Sequence, residues 1–84
     1  MTIKEIKDSL NEALKKVDGI SYSIKSKKEQ QGLCFEIEFD YDDFVDADED
    51  WKDQVEDAVS DVISEYGGSY EWDDNTIIYT IPLN

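Results

Sequence analysis

The apolar residues of this chain switch twice from a helical step to strict alternation, and that order points to a two-layer α+β fold. Ile3, Ile6, Leu10, Ala13, Leu14 and Val17 recur every three to four residues and make one apolar stripe. Thr2 and Glu5 stand at capping-box spacing, with Met1 and Ile6 at the staple positions. Lys15 and Lys16 suit the negative end of this helix, and Gly19 reads as its C′ residue. A second helix is expected from about Asp50 to Tyr66. Trp51, Val55, Ala58, Val59, Val62, Ile63 and Tyr66 fall within one arc at 100° per residue. Acids crowd its start, where the helix dipole favours anions, and Gly67-Gly68 ends it.

Each helix is followed by a hairpin pattern. Ile20, Tyr22 and Ile24 alternate with polar residues, and a polar turn is expected over Lys27–Gly32. Phe35, Ile37, Phe39 and Tyr41 then alternate with Glu36, Glu38 and Asp40. Tyr70 and Trp72, a turn at Asp73-Asp74-Asn75, and Ile77, Tyr79, Ile81 and Leu83 repeat the plan. Alternation of this kind means one buried and one solvated face, hence an antiparallel sheet. Gly19-x-Ser21-Tyr22 matches Gly67-x-Ser69-Tyr70 at an offset of 48. The expectation is one domain over residues 1–84, and the match reads either as an αββ repeat at 1–41 and 48–84 or as coincidence between two amphipathic segments. The fold is then two αββ units forming a four-stranded antiparallel sheet with two helices packed on one face.

Charge narrows the function. The chain has 84 residues and a formal charge of −14, with eight lysines and no arginine. Residues 1–28 carry a net +3, and residues 29–84 a net −17 with Lys52 their one base. Such a field repels nucleic acid and anionic membrane and attracts basic partners. No stretch reaches the roughly 18 apolar residues that span a membrane. MTIKEIKDSL has no apolar h-region, so no secretory signal is expected. A lone cysteine, Cys34, fits a reducing compartment. Lysine as sole base, with abundant Ile and Lys, reads like an AT-rich genome, such as a low-GC bacterium or its phage. The expected location is the cytoplasm of a host bacterial cell.

Several chemistries lose their residues. There is no histidine, which removes Ser-His-Asp and Cys-His mechanisms and most zinc sites. Cys34 shares parity with Glu36 and Glu38, an electronegative setting that keeps a thiol protonated. A glycosidase-type carboxylate pair needs a cleft deep enough to shift one pKa, which a domain of this size seldom provides. Asp46, Asp48 and Asp50 open like a calcium loop, but Trp51 stands where the sharp turn needs glycine and Asp57 where a bidentate Glu is usual. The expectation is no enzyme, no catalytic residues, no cofactor and no built metal site.

The acids themselves are the main signal. Asp53, Asp57, Asp61 and Glu65 are spaced i, i+4, and each step along a helix is about 6 Å. Glu36, Glu38 and Asp40 form a second row on a strand, and Asp42, Asp43, Asp46, Asp48, Glu49 and Asp50 bridge the two. Residues 36–65 hold fourteen acids and one lysine. Rows of carboxylates at this spacing can stand in for a phosphate backbone in a cationic groove. Tyr41 and Phe44, beside the acidic stretch, are the expected apolar anchors, since rim charges mainly raise the on-rate. The basic trio Lys25, Lys27 and Lys28 reads as a guard on an edge strand.

In size, charge and compactness the chain is similar to the small acidic DNA-mimic inhibitors of phages and mobile elements. These include anti-restriction and anti-CRISPR proteins and uracil-DNA glycosylase inhibitors. The likeness is compositional, covers no shared motif and carries no site residues across. The expected function is stoichiometric inhibition of a host defence or repair protein, with a basic nucleic-acid-binding protein (a nuclease or nuclease complex) as partner. Direct nucleic-acid or membrane binding is not expected, and the oligomeric state stays open, with a homodimer as one option. The same electrostatics suits an immunity protein neutralising a cationic nuclease toxin. A soluble domain without inhibitory role is the third reading.

Overall fold

The order of elements is α1 (Ile3–Leu14), β1 (Tyr22–Glu29), β2 (Gly32–Phe39), α2 (Tyr41–Asp46), α3 (Glu49–Tyr66), β3 (Ser69–Asp73) and β4 (Thr76–Pro82). The structure is a computed structural model that describes residues 2–17, 21–30, 32–46 and 49–82. Met1, Gly19, Ile20, Asp48 and Leu83, each given a place by the sequence, lie outside the described residues.

Thr2 caps α1 as its spacing requires, its Oγ1 accepting the Glu5 backbone N–H at 3.1 Å. Ile6, Leu10 and Leu14 are buried along one stripe. The helix stops earlier than the apolar phase suggests. Lys15 is the C-cap, and the chain tightens: Val17 donates to the Leu14 carbonyl at 3.0 Å and Lys16 to that of Ala13 at 3.3 Å. This i→i+3 turn still swings Val17 into the core.

The first hairpin is longer than expected. Its ladder runs from Tyr22↔Phe39 to Glu29↔Gly32, so Lys27, Lys28 and Glu29 belong to β1 rather than to a turn. The second hairpin closes through Asp74 and Asn75, between the paired Asp73 and Thr76. Asp74 takes φ 56°, a left-handed value that Asp and Asn enter more readily than other side chains. α3 ends where the Gly67 N–H bonds the Ile63 carbonyl at 2.7 Å. Gly68 follows at φ 97°, and a Cβ there would lie 2.3 Å from the Thr80 oxygen. Both the conformation and the close approach of β4 therefore demand glycine.

The four strands form one antiparallel sheet in the order β1-β2-β4-β3. Its inner face presents Phe35, Ile37, Phe39, Ile77, Tyr79 and Ile81, and these pack with the buried stripes of α1 and α3 in one core cluster. Both long helices thus cover the same face. The expected α+β architecture is the one observed.

Tyrosine hydroxyls tie the layers. Tyr22 of β1 donates to Asn11 of α1 at 3.1 Å, and Tyr70 of β3 donates to Glu56 of α3 at 2.9 Å. α1 therefore lies on the β1 side and α3 on the β3 side. Tyr79, fully buried, donates to the Gly67 carbonyl, and burial pushes its hydroxyl up to about 12, with Tyr66 adding to the shift. Among the described residues no buried side-chain polar atom lacks a partner.

The arms meet symmetrically. β2 and β4 pair with Ile37 opposite Ile77, and β1 and β3 flank them. Tyr22 faces Phe39 across one hairpin as Tyr70 faces Tyr79 across the other. Duplication of an αββ unit would give this order, with the sequence offset shrinking after Tyr70 because the second hairpin is shorter.

Candidate interaction surface

Helix α3 builds the acidic row from its own amphipathic pattern. Burial of Val55, Ala58, Val59 and Val62 fixes the rotation of the helix. Asp53, Asp57 and Asp61 are thereby exposed, about 6 Å apart, with exposed Glu65 one turn further. Asp57 and Asp61 also line an open groove between α1 and α3, whose far wall is Ala13, Lys16 and Val17.

The stretch expected to bridge as a loop is largely helical. Asp40 leaves the β1–β2 ladder by a last bond to Ser21 (2.9 Å), and its Oδ1 then accepts the N–H groups of Asp42 at 3.0 Å and Asp43 at 3.4 Å. An Asp in this place caps a helix, and Phe44 closes the first turn by donating to the Asp40 carbonyl at 2.9 Å. So Tyr41 starts α2 instead of continuing the strand, and Asp40, though exposed, has its carboxylate engaged by the backbone.

The two expected anchors part company. Tyr41 is 57% exposed. Phe44 is half-buried, its ring 5.9 Å from that of Trp72 and the Lys52 ammonium 4.8 Å from its centroid. It holds α2 against the body of the protein and is not a free contact. Val45, which sequence reasoning passed over, is 58% exposed. Asp42 and Asp46 are exposed and Asp43 half-buried. Glu49 and Asp50 are exposed in the first turn of α3, where the dipole favours them. Asp48 is among the residues not described.

Glu36 and Glu38 do not join this surface. They alternate with buried Phe35, Ile37 and Phe39, so they point away from the helices. The strand row and the α3 row therefore lie on opposite faces of the molecule, and a single ridge through both is ruled out by the pleat. The outer sheet face is also mixed in charge. Glu36 is directly opposite Lys25, and Glu38 opposite Ser23 and Thr76. A shallow hollow there is lined by Lys25, Glu36, Glu38, Asp73, Thr76 and Ile78.

Cys34 shares that outer face. Its thiol is raised from the ordinary value, first by burial and then by Glu29 and Glu36, against smaller opposing effects of a Thr80 hydrogen bond and Lys27. A thiol so placed stays protonated near neutral pH and is a poor nucleophile. Among the described residues the calcium-loop spacing falls in helices: α2 ends at Asp46, and Asp50 and Asp57 are inside α3. Among the described residues no three cysteine or acidic side chains converge as a metal would require. None of the described helices is long and apolar enough to cross a membrane.

What remains is a surface on the helical side: the α3 row, the exposed acids of α2 and of the first α3 turn, and the outward pair Tyr41 and Val45. Compared with known protein families and with curated proteins, the chain matches none of them.

Proposed function

We propose that the protein is a stoichiometric inhibitor that occupies the nucleic-acid site of a basic host defence or repair protein, in the manner of anti-restriction and anti-CRISPR proteins of phage origin. The observation that carries this reading is the exposed row Asp53, Asp57 and Asp61 on a helix whose opposite side is locked into the core. Like charges at i, i+4 cost a helix roughly 0.2–0.5 kcal/mol per pair, so the row is a local expense without local return. A rigid helix keeps the charges in register, and a cationic groove reads register as well as charge. The acids of α2 and the start of α3 extend the same anionic field. Glu36 and Glu38 lie on the other face and are left out of this contact.

The test is capture from bacterial lysate at rising salt, followed by displacement of the captured protein with duplex DNA. The expected outcome is a basic nucleic-acid-binding protein that DNA releases and that the triple variant Asp53→Lys, Asp57→Lys, Asp61→Lys no longer retains. Retention of the same protein by that variant at unchanged salt resistance would overturn the reading.

A further inference from the structure

We propose that the outward face of α2, built on Tyr41 and Val45, is an apolar anchor that seats in a shallow nonpolar pocket bordered by lysines or arginines on a partner protein. The inference rests on the function proposed above and names the contact that holds the partner once charge has brought it in.

Among the described residues, Tyr41 and Val45 are the exposed large hydrophobic side chains, at 57% and 58%. They stand at i, i+4 and so share one face of α2. The fold does not require that face. α2 contributes no buried residue. Its attachments are elsewhere, in the Asp40 cap and in Phe44 packed on Trp72. α2 is also the element that stands outside the two αββ units, lying between β2 and α3. A helix that builds no core and turns its apolar pair to solvent is available for a partner.

Charge decides what kind of partner. Asp42 and Asp46 are exposed on the same short helix, and Glu49 and Asp50 follow on α3. An occupant must bring positive charge to this border. A second copy of this chain, with its −14, and an anionic lipid surface are both repelled. A cationic protein surface with a nonpolar depression satisfies both the apolar centre and the acidic surround. Interfaces of this type take their strength from a few apolar residues at the centre and their speed from the charges around them.

Two cationic peptides of equal charge test the proposal on the whole protein: hexalysine, and the same six lysines interrupted by two phenylalanines. Binding is followed by heteronuclear NMR titration at low salt and at about 0.3 M salt, where exposed charges are strongly screened. The expected result is at least about tenfold tighter binding of the phenylalanine-bearing peptide at the higher salt, with amide shifts centred on Tyr41 and Val45. The double variant Tyr41→Gln, Val45→Gln should erase that gap while leaving hexalysine binding at low salt unchanged. Glutamine favours the helix. Tyr41→Gln alone should lose part of the gap and serves where the double variant loosens α2, which the Phe44 amide and Trp72 indole signals in the same spectra report. Equal binding of the two peptides, or a gap that survives in the double variant, overturns the anchor and leaves the electrostatic reading standing. Failure of hexalysine to bind at low salt overturns that reading, and the anchor with it.

Discussion

Phe39 and Asn75 are joined twice. The Phe39 backbone N–H donates to the Asn75 carbonyl at 3.0 Å, and the Asn75 side-chain Nδ2 donates to the Phe39 carbonyl at 2.7 Å. The tip of the second hairpin is thereby fastened to the end of β2, one residue before Asp40, the cap of α2. The Phe39 ring meets Trp51 at 5.4 Å and Trp72 at 5.8 Å, so the same residue also joins α3 and β3. Removing the side-chain half with Asn75→Ala should cost about 1–2 kcal/mol. For a domain of this size that is a fall of roughly 4–15 °C in Tm. Asn75→Asp should be worse than alanine, because it places a carboxylate against a carbonyl it cannot satisfy. Thermal melts of the three proteins side by side check the order.

Neutralising the α3 row should stabilise the protein. Asp53→Asn, Asp57→Asn and Asp61→Asn together remove four i, i+4 repulsions along Glu49, Asp53, Asp57, Asp61 and Glu65, a gain of about 0.8–2 kcal/mol before longer-range relief is counted. The gain should shrink as salt is added, since these side chains are exposed and screened. Melting curves at low and high salt measure it, and a lower Tm in the variant at low salt would mean that the row has structural partners.

Alkaline pH should unfold the protein through its buried tyrosine. Tyr79 titrates at about 12 in the fold against an ordinary value near 10. A raised folded pKa of a phenol means that the fold holds the proton more tightly. The stabilisation is complete below about pH 10 and is lost as pH climbs through about 12. Tyr22 and Tyr70 are raised in the same direction, chiefly by burial. Tyr79→Phe should be less stable at neutral pH, having lost its bond to the Gly67 carbonyl, yet show a flatter decline above pH 10. Urea midpoints from pH 8 to 12 (about two units either side of an ordinary tyrosine) compare the slopes.

Cys34 should alkylate slowly at neutral pH. Glu36→Gln removes one of the charges that raise its pKa and should speed labelling by iodoacetamide, while Lys27→Gln should slow it further. Rates measured by mass spectrometry at fixed pH settle the signs.

Gly68→Ala should be among the most damaging small substitutions in the chain. The added methyl meets the Thr80 oxygen at 2.3 Å and the Tyr79 ring at 2.9 Å, at a φ that alanine avoids. A loss above about 2 kcal/mol is expected. Gly67→Ala meets nothing within 4 Å and carries the conformational strain alone, so it should cost less in the same denaturation assay.

The two long helices and the four strands are legible because each buries one face, and burial leaves a period in the residues. α2 is not legible. Six residues are too few to show a helical period, and Asp40–Asp46 holds four acids that read as a loop. Its one structural signal is local: Asp40 two and three residues ahead of the N–H groups it caps. With α2 missed, Tyr41 counts as strand, Phe44 as an exposed anchor and Val45 as nothing, because only the helix puts Phe44 inward and Val45 out. The separation of Glu36 and Glu38 from the α3 row was derivable. Both helices must cover Phe35, Ile37 and Phe39, so residues of opposite parity face away. The extent of β1 was hidden for another reason: Lys25 to Gln30 are all exposed, so the outer half of the strand carries no burial pattern to read.

The placement of α1 with β1 and of α3 with β3 has an electrical consequence. α1 and β1, with Lys15 and Lys16 between them, hold seven lysines against four acids at one margin of the sheet, and α3 and β3 hold nine acids against Lys52 at the other, so the molecule carries a permanent moment along the line that crosses its strands. A positively charged body drifting nearby feels a torque before it feels a surface. It turns the carboxylate margin toward itself before the two surfaces touch.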